Sequence, residues 1–120
     1  MVESALKVYC DGGAHTKIGI VIVNGKEEQS IVEEHPEWKT APQLEAYAIL
    51  RAVQILPNGC KAIISSDSEL MIRGLNDEYE ITNRILVDLI ERIRASIFSK
   101  HLVITFNWVP RRYNLAGGLL

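Results

Sequence analysis

The chain has 120 residues, 48% of them hydrophobic and 23% charged, with a formal net charge of −2. That length supports one hydrophobic core, a single domain over residues 1–120, and excludes two ordinary domains; the slightly acidic charge excludes a protein that grips nucleic acid by bulk electrostatics, so any such binding needs a local patch. There is no low-complexity tract, no internal repeat, no basic start leading into a long apolar core and no apolar run of membrane-spanning length, so a compact cytoplasmic protein without leader or membrane span is expected.

The first predicted element is a strand over residues 5–11, within "LKVYCDGG", where alternating apolar residues reach Asp11 and then two glycines. Two more strands are predicted in "KIGIVIVNGKEEQSIVEE" around Asn24-Gly25, since both residues of that pair tolerate the positive φ of a type I′ hairpin turn. Next, "TAPQLEAYAILRAVQILPNG" begins with a capping-box pattern, Thr40 with Gln43 three residues on, and carries Pro42 in the first turn. The helix is predicted to stop before Pro57, with Gly59 beyond it. Leu44, Ala48, Ala52 and Ile55 form an apolar stripe that needs a sheet to cover.

"KAIISSD" is a fourth strand, expected parallel to its neighbour because it follows a helical crossover. A short helix from Ser68 to Leu75 and a longer one over roughly residues 83–98 come next, and "HLVITFNWVP" closes the pattern as a fifth strand. The expected fold is α/β: a mixed five-stranded sheet, three antiparallel strands then parallel ones, flanked by helices. With the fourth strand parallel beside the first, Asp11 and Asp67 lie at the same carboxyl end. Cys60 precedes Asp67 by seven residues and Cys10 precedes Asp11 by one, a difference of roughly 20 Å along the strands, so a disulfide is out of reach and both are expected to be buried thiols.

Three acids then share one property: Asp11 and Asp67 end apolar strands, and Glu45 lies on the second turn of the first helix. Each alone has an ordinary structural reading, as turn acid, helix cap or dipole-favoured acid. Gathered at one sheet edge, they would raise one another's pKa unless cations sat between them. Hard divalent ions favour such oxygen ligands and accept phosphate oxygens as well. A pair of such ions can activate water and stabilise the leaving oxygen of a phosphodiester with no nucleophilic side chain.

These residues carry a resemblance to type 1 ribonuclease H over nearly the whole chain. "YCDGGA" resembles that family's first strand, "TAPQLEAYAILRA" its Thr-Asn-Asn-x-Ala-Glu helix, "SDSELMIRGLNDEYEITNRIL" its Asp-Ser segment, and "WVPRRYNLAGGLL" its Pro-Arg-x-x-Asn loop. The resemblance implies a ribonuclease H-like fold, an RNA/DNA hybrid as partner with no obligate protein partner, and hydrolysis of the RNA strand with two Mg2+ or Mn2+ ions. It places Asp11, Glu45 and Asp67 on three of four metal-binding, catalytic carboxylates. The fourth position, counted from Asn114, falls on Gly118, and no acid follows Glu91. Asn114 is the candidate fourth ligand, through its amide oxygen. The alternatives are three carboxylates with water, the carboxylate of Leu120 carried over Gly117-Gly118, or a site without activity.

The resemblance also implies substrate contacts at Gly12, Gly13, Thr40, Gln43, Ser68 and Arg111, with Arg112 beside the last. Ala41 and Pro42 replace two asparagines that in the family touch the hybrid, which weakens the argument for reading the 2′-hydroxyl. His15, His35 and His101 have no metal-ligand spacing; His15 alone lies in the loop after Asp11. Trp38 and Trp108 read as core or edge packing. A non-catalytic member of the same fold is the first rival; a phospho-acceptor domain is the second, and the Asn24-Gly25 hairpin counts against its all-parallel sheet.

Overall fold

The computed structural model describes residues 5–13, 16–38 and 40–120. His15, considered above beside Asp11, lies outside them. Strand β1 (Leu6–Gly12) sits at the centre of one sheet ordered β3-β2-β1-β4-β5, with β2 (Lys17–Asn24), β3 (Glu27–Glu34), β4 (Lys61–Ser66) and β5 (Val103–Trp108). The β1–β2 and β2–β3 pairs are antiparallel, while β1–β4 and β4–β5 are parallel. Gly25 turns the β2–β3 hairpin with φ of 62°, a backbone conformation for which glycine has no steric penalty.

The register fixes the site. Cys10 pairs with Ser66, so the next residues on the two central strands, Asp11 and Asp67, leave the same end of the sheet. Along β1 the side chains alternate, with Val8 and Cys10 entering the core together with Ile18, Ile20, Ala62 and Ile64. Asp11 therefore belongs to the other face, in register with Gly19. A side chain at Gly19 would meet Ala116 and Leu119 of a short 3-10 helix, Leu115–Leu119, which covers that face at β1 and β2.

Helix α1 (Ala41–Ile55) packs across β1 and β2, and α3 (Arg84–Ser99) packs on α1 rather than on the sheet. This second layer buries more of α1 than the predicted stripe: Ala46, Ile49, Leu50 and Val53 join Leu44, Ala48 and Ala52, while Ile55 is only half-buried. Thr40 caps α1, its Oγ1 accepting from the Gln43 N–H at 3.3 Å. At the other end Lys100 donates its ammonium to the carbonyls of Val53, Gln54 and Leu56 at 2.8, 2.6 and 2.5 Å, satisfying acceptors that a helix end leaves open. Asn83 caps α3 through Ile85 and Leu86, and Ser68 caps α2 (Glu69–Leu75) through Met71.

Two expectations about side chains change. Cys10 is buried, with its thiol pKa pushed far up by burial, but Cys60 is only half-buried because it precedes β4 at the rim of the core. Trp38 packs against the core, whereas Trp108 ends the edge strand and is 47% exposed. His101 occupies the left-handed turn after α3 (φ 55°), and His35 belongs to a charged cluster with Glu33, Glu37 and Arg51. Among the described residues no helix is long and apolar enough to cross a membrane.

Candidate active site

Three elements deliver three carboxylates to one cleft. Asp11 comes from β1, Glu45 from the second turn of α1, and Asp67 from the residue between β4 and the Ser68 cap. Their candidate ligand oxygens all lie within 4.8 Å of one another. Because Ser68, not Asp67, caps α2, the Asp67 carboxylate is left for the cleft. The cleft has a volume of about 390 Å³ and is lined by Asp11, Gly12, Gly13, Ala41, Glu45, Asp67, Arg111, Gly117 and Leu120.

Gly12 brings Glu45 to Asp11. A Cβ there would lie 2.6 Å from the backbone N of Glu45 and the backbone C of Leu44, so only glycine lets the start of α1 rest on the end of β1. Gly13 faces the Leu120 side chain, 3.0 Å from its Cβ position.

The electrostatics are those of acids held together without enough counter-charge. Asp11 is 9% exposed, and burial, then repulsion from Asp67, raises its pKa to about 6; the Gly12 N–H, bound to its Oδ1 at 3.0 Å, and the positive charge of Arg111 oppose the rise. Burial also raises Glu45, which the Ser68 hydroxyl partly relieves by donating to the carboxylate.

Asn114 is buried at the same place, 5% exposed. Its amide nitrogen donates to the Cys10 carbonyl at 2.8 Å and to Asp67 Oδ1 at 3.3 Å, and its amide oxygen accepts from the Ala116 N–H at 3.2 Å. Asn114 is therefore brought to the triad with its N–H side facing Asp67. Counting along the chain put the fourth acidic position at residue 118, but a Cβ at Gly118 meets nothing within 4 Å, whereas one at Gly117 lies 3.5 Å from Asp11 Oδ2. The 3-10 path of residues 115–119, in place of an α-helix, turns position 117 toward the acids.

Of the other expected contacts, Arg111 lines the cleft, Ser68 supports Glu45, and Thr40 caps the start of α1 through the Gln43 N–H. Sequence reasoning missed Gly117, and also Trp108, whose Nε1 donates to the Asp67 carbonyl at 3.3 Å. No periodicity or spacing marks either residue; their roles follow from how the last segment folds back.

A cluster of three acids, two at the ends of adjacent parallel strands and one from the helix packed over them, with an arginine beside them, suits a divalent ion and an anionic substrate. The family model for RNase H matches residues 3–111. Among solved structures, RNase H1 from the halophilic archaeon Halobacterium salinarum is 19% identical with a TM-score of 0.77, over 98% of this chain and 94% of that one. LC11-RNase H1, isolated from compost by a metagenomic approach and solved with an RNA/DNA hybrid, is 22% identical with a TM-score of 0.76, over 96% and 92%. The N-terminal RNase H domain of a Mycobacterium tuberculosis protein is 18% identical with a TM-score of 0.72, over 93% and 86%. These three share the fold. No curated protein matches the sequence. The chain belongs to the RNase H family.

Proposed function

We propose that this RNase H family member is a metal-dependent endonuclease that hydrolyses the RNA strand of RNA/DNA hybrids, with Asp11, Glu45 and Asp67 as the ligands of Mg2+ or Mn2+. The observation that carries the reading is the meeting of three carboxylates, from residues 11, 45 and 67, within 4.8 Å. Two of them have raised pKa values, an arrangement that costs stability unless a cation joins it. The donor set is all oxygen, which fits hard divalent ions. When bound, such an ion polarises phosphoryl oxygens and favours ionisation of water near neutral pH.

The chain's own residues do the rest. Asp11 stands within 4.8 Å of the other two acids, Ser68 orients Glu45, and the Asn114 amide holds Asp67. Arg111 faces the cleft as a phosphate contact, suited by its fork of donors. Gly12 and Gly13 on one side, and Thr40 and Gln43 at the start of α1 on the other, border the path of the strand. A water adds to phosphorus in line with the 3′ oxygen; the P–O3′ bond breaks, leaving a 5′-phosphate and a 3′-hydroxyl that takes up a proton. The choice of hybrid as substrate is supported by family membership and by the hybrid-bound relative.

The test is cleavage of labelled RNA/DNA hybrid, RNA duplex and DNA duplex with Mg2+ or Mn2+, by the intact chain and by Asp11→Asn. Metal-dependent cutting of the hybrid by the intact chain alone is expected. Equal cutting by both proteins removes the metal mechanism. No cutting by the intact chain leaves a nucleic-acid-binding module of the same fold.

A further inference from the structure

The number of ions at this centre follows from the groups around the triad. Among the described residues lining the cleft, no acidic side chain other than those of Asp11, Glu45 and Asp67 is present. Asn114, the candidate fourth ligand, meets Asp67 through its amide nitrogen, while its oxygen accepts from the Ala116 N–H. The Cys10 carbonyl accepts only from the amide nitrogen and the Ala116 N–H donates only to the amide oxygen, so two main-chain groups fix which end of the amide faces Asp67. Turning it would break both bonds in a buried setting, where unmade hydrogen bonds are costly. Position 117, the one whose Cβ direction approaches Asp11, is a glycine and offers no ligand.

What the cleft does hold is a fixed positive charge. Arg111 lines it, is exposed, and takes part in none of the ion pairs formed among the described residues. A guanidinium so placed repels a second cation and, unlike a metal ion, cannot be diluted away. Its paired donors match two oxygens of one phosphate.

We propose that the centre holds one divalent ion, on Asp11, Glu45 and Asp67, and that the Arg111 guanidinium takes the place of a second ion by binding the oxygens of the scissile phosphate. The proposal rests on the nuclease reading above. One divalent ion and one guanidinium balance the three carboxylates, so the phosphate enters a centre that is neutral overall and polarised toward Arg111. Asn114 is then a positioning residue that holds Asp67. Arg111 keeps its proton throughout and supplies only hydrogen bonds and charge, while the 3′ oxygen takes its proton from water.

Mn2+ binding, followed by calorimetry and by electron paramagnetic resonance, tests this on the intact chain, Arg111→Ala, Arg111→Lys and Asp11→Asn. Each is measured alone and with an RNA/DNA hybrid frozen before turnover. One Mn2+ per chain is expected, with the spectrum of an isolated ion even in the hybrid complex. Arg111→Ala is expected to bind that ion severalfold more tightly, because a repelling charge is gone, yet to cut roughly 10²-fold more slowly, the loss typical of removing one transition-state donor. Arg111→Lys, which keeps the charge and loses the fork, should recover part of the rate. Two ions per chain, a spin-coupled pair, or full activity in Arg111→Ala would overturn the proposal and leave the nuclease reading standing. Equal Mn2+ binding by the intact chain and Asp11→Asn would overturn both.

Discussion

Glu33 and Asp11 stand on strands of one sheet, and each is a carboxylate close to a second acid, yet their surroundings differ completely. Glu33 accepts two hydrogen bonds from the Arg51 guanidinium at 2.8 and 2.9 Å and one contact from His35 at 2.9 Å, and these partners pull its pKa down to about 2. His35 also reaches Glu37 at 3.0 Å and lies against the Tyr47 ring, 4.4 Å between centroids. Asp11 is more buried, stands beside Asp67 and Glu45, has only the Gly12 N–H and the charge of Arg111 in its favour, and its pKa rises to about 6. In the first cluster Glu33 and Arg51 balance one another's charge and so tie β3 to α1. The second leaves a deficit of positive charge that an ion and a phosphate-binding group can fill, which is what separates a site from a staple.

The largest effect is expected when that deficit is removed. Asp11→Asn should abolish ion binding and slow cleavage by at least about 10³-fold, roughly 4 kcal/mol of barrier. The same change should make the chelator-treated protein more stable by about 1–2 kcal/mol, because a buried, repelled charge is gone. Denaturant melts in EDTA check the sign: destabilisation by Asp11→Asn would mean that the triad is a structural cluster after all. Gly12→Ala breaks the site without touching a charge. With backbone atoms 2.6 Å from the new Cβ, α1 must move off β1, costing about 3 kcal/mol and carrying Glu45 away from Asp11. Calorimetry should show ion affinity lost along with stability, while the Glu33–Arg51 pair, two turns further along α1, stays formed.

Titration should separate the two clusters by sign. Asp11 is raised from its ordinary 3.8 to about 6, so the native state holds that proton longer than the unfolded chain does. Ion-free stability should then fall as pH rises from about 4 to 6 and level off above, by at most about 3 kcal/mol. Glu45 adds to the same trend. Saturating Mg2+ should flatten the slope, since the ion favours the ionised acids, and ion affinity should weaken below about pH 6. Glu33 acts in the opposite direction. Its lowered pKa contributes stability that is present above pH 4.5 and lost as pH falls toward 2. Melts at closely spaced pH values, with and without Mg2+, would show the two limbs.

Local chemistry made most of the fold legible before any coordinates. Asn24-Gly25, the Thr40 cap and Pro57 each mark a boundary through a single backbone requirement, and the boundaries fell within a residue or two. The parallel placement of β4 beside β1 followed from the crossover, and with it the shared edge of Asp11 and Asp67. Less legible were features created by long-range packing. The deep burial of α1 comes from α3 lying on it, which its own periodicity cannot signal. The polarity of Asn114 is set by Cys10, 104 residues away, and Ala116. That Gly12 also makes room for the start of α1 was not legible, because a missing Cβ marks a close approach without saying what approaches. Position 117 rather than 118 faces Asp11 because the last segment winds as a 3-10 helix, and spacing rules drawn from α-helices miscount there.

The smallest effect tests whether the two clusters are independent. Glu33→Gln keeps the shape but removes the charge that Arg51 and His35 share. Both partners of the Arg51 pair are about a quarter exposed, so solvent screening holds the loss to about 1 kcal/mol, or roughly 4 °C in melting temperature. Mn2+ affinity at the triad should not change, because Glu33 lies on β3 and joins the other end of α1. If affinity shifts by more than about threefold, roughly 0.6 kcal/mol, the position of α1 transmits between the clusters. In that case the charge closed at Glu33 would be part of what aims Glu45.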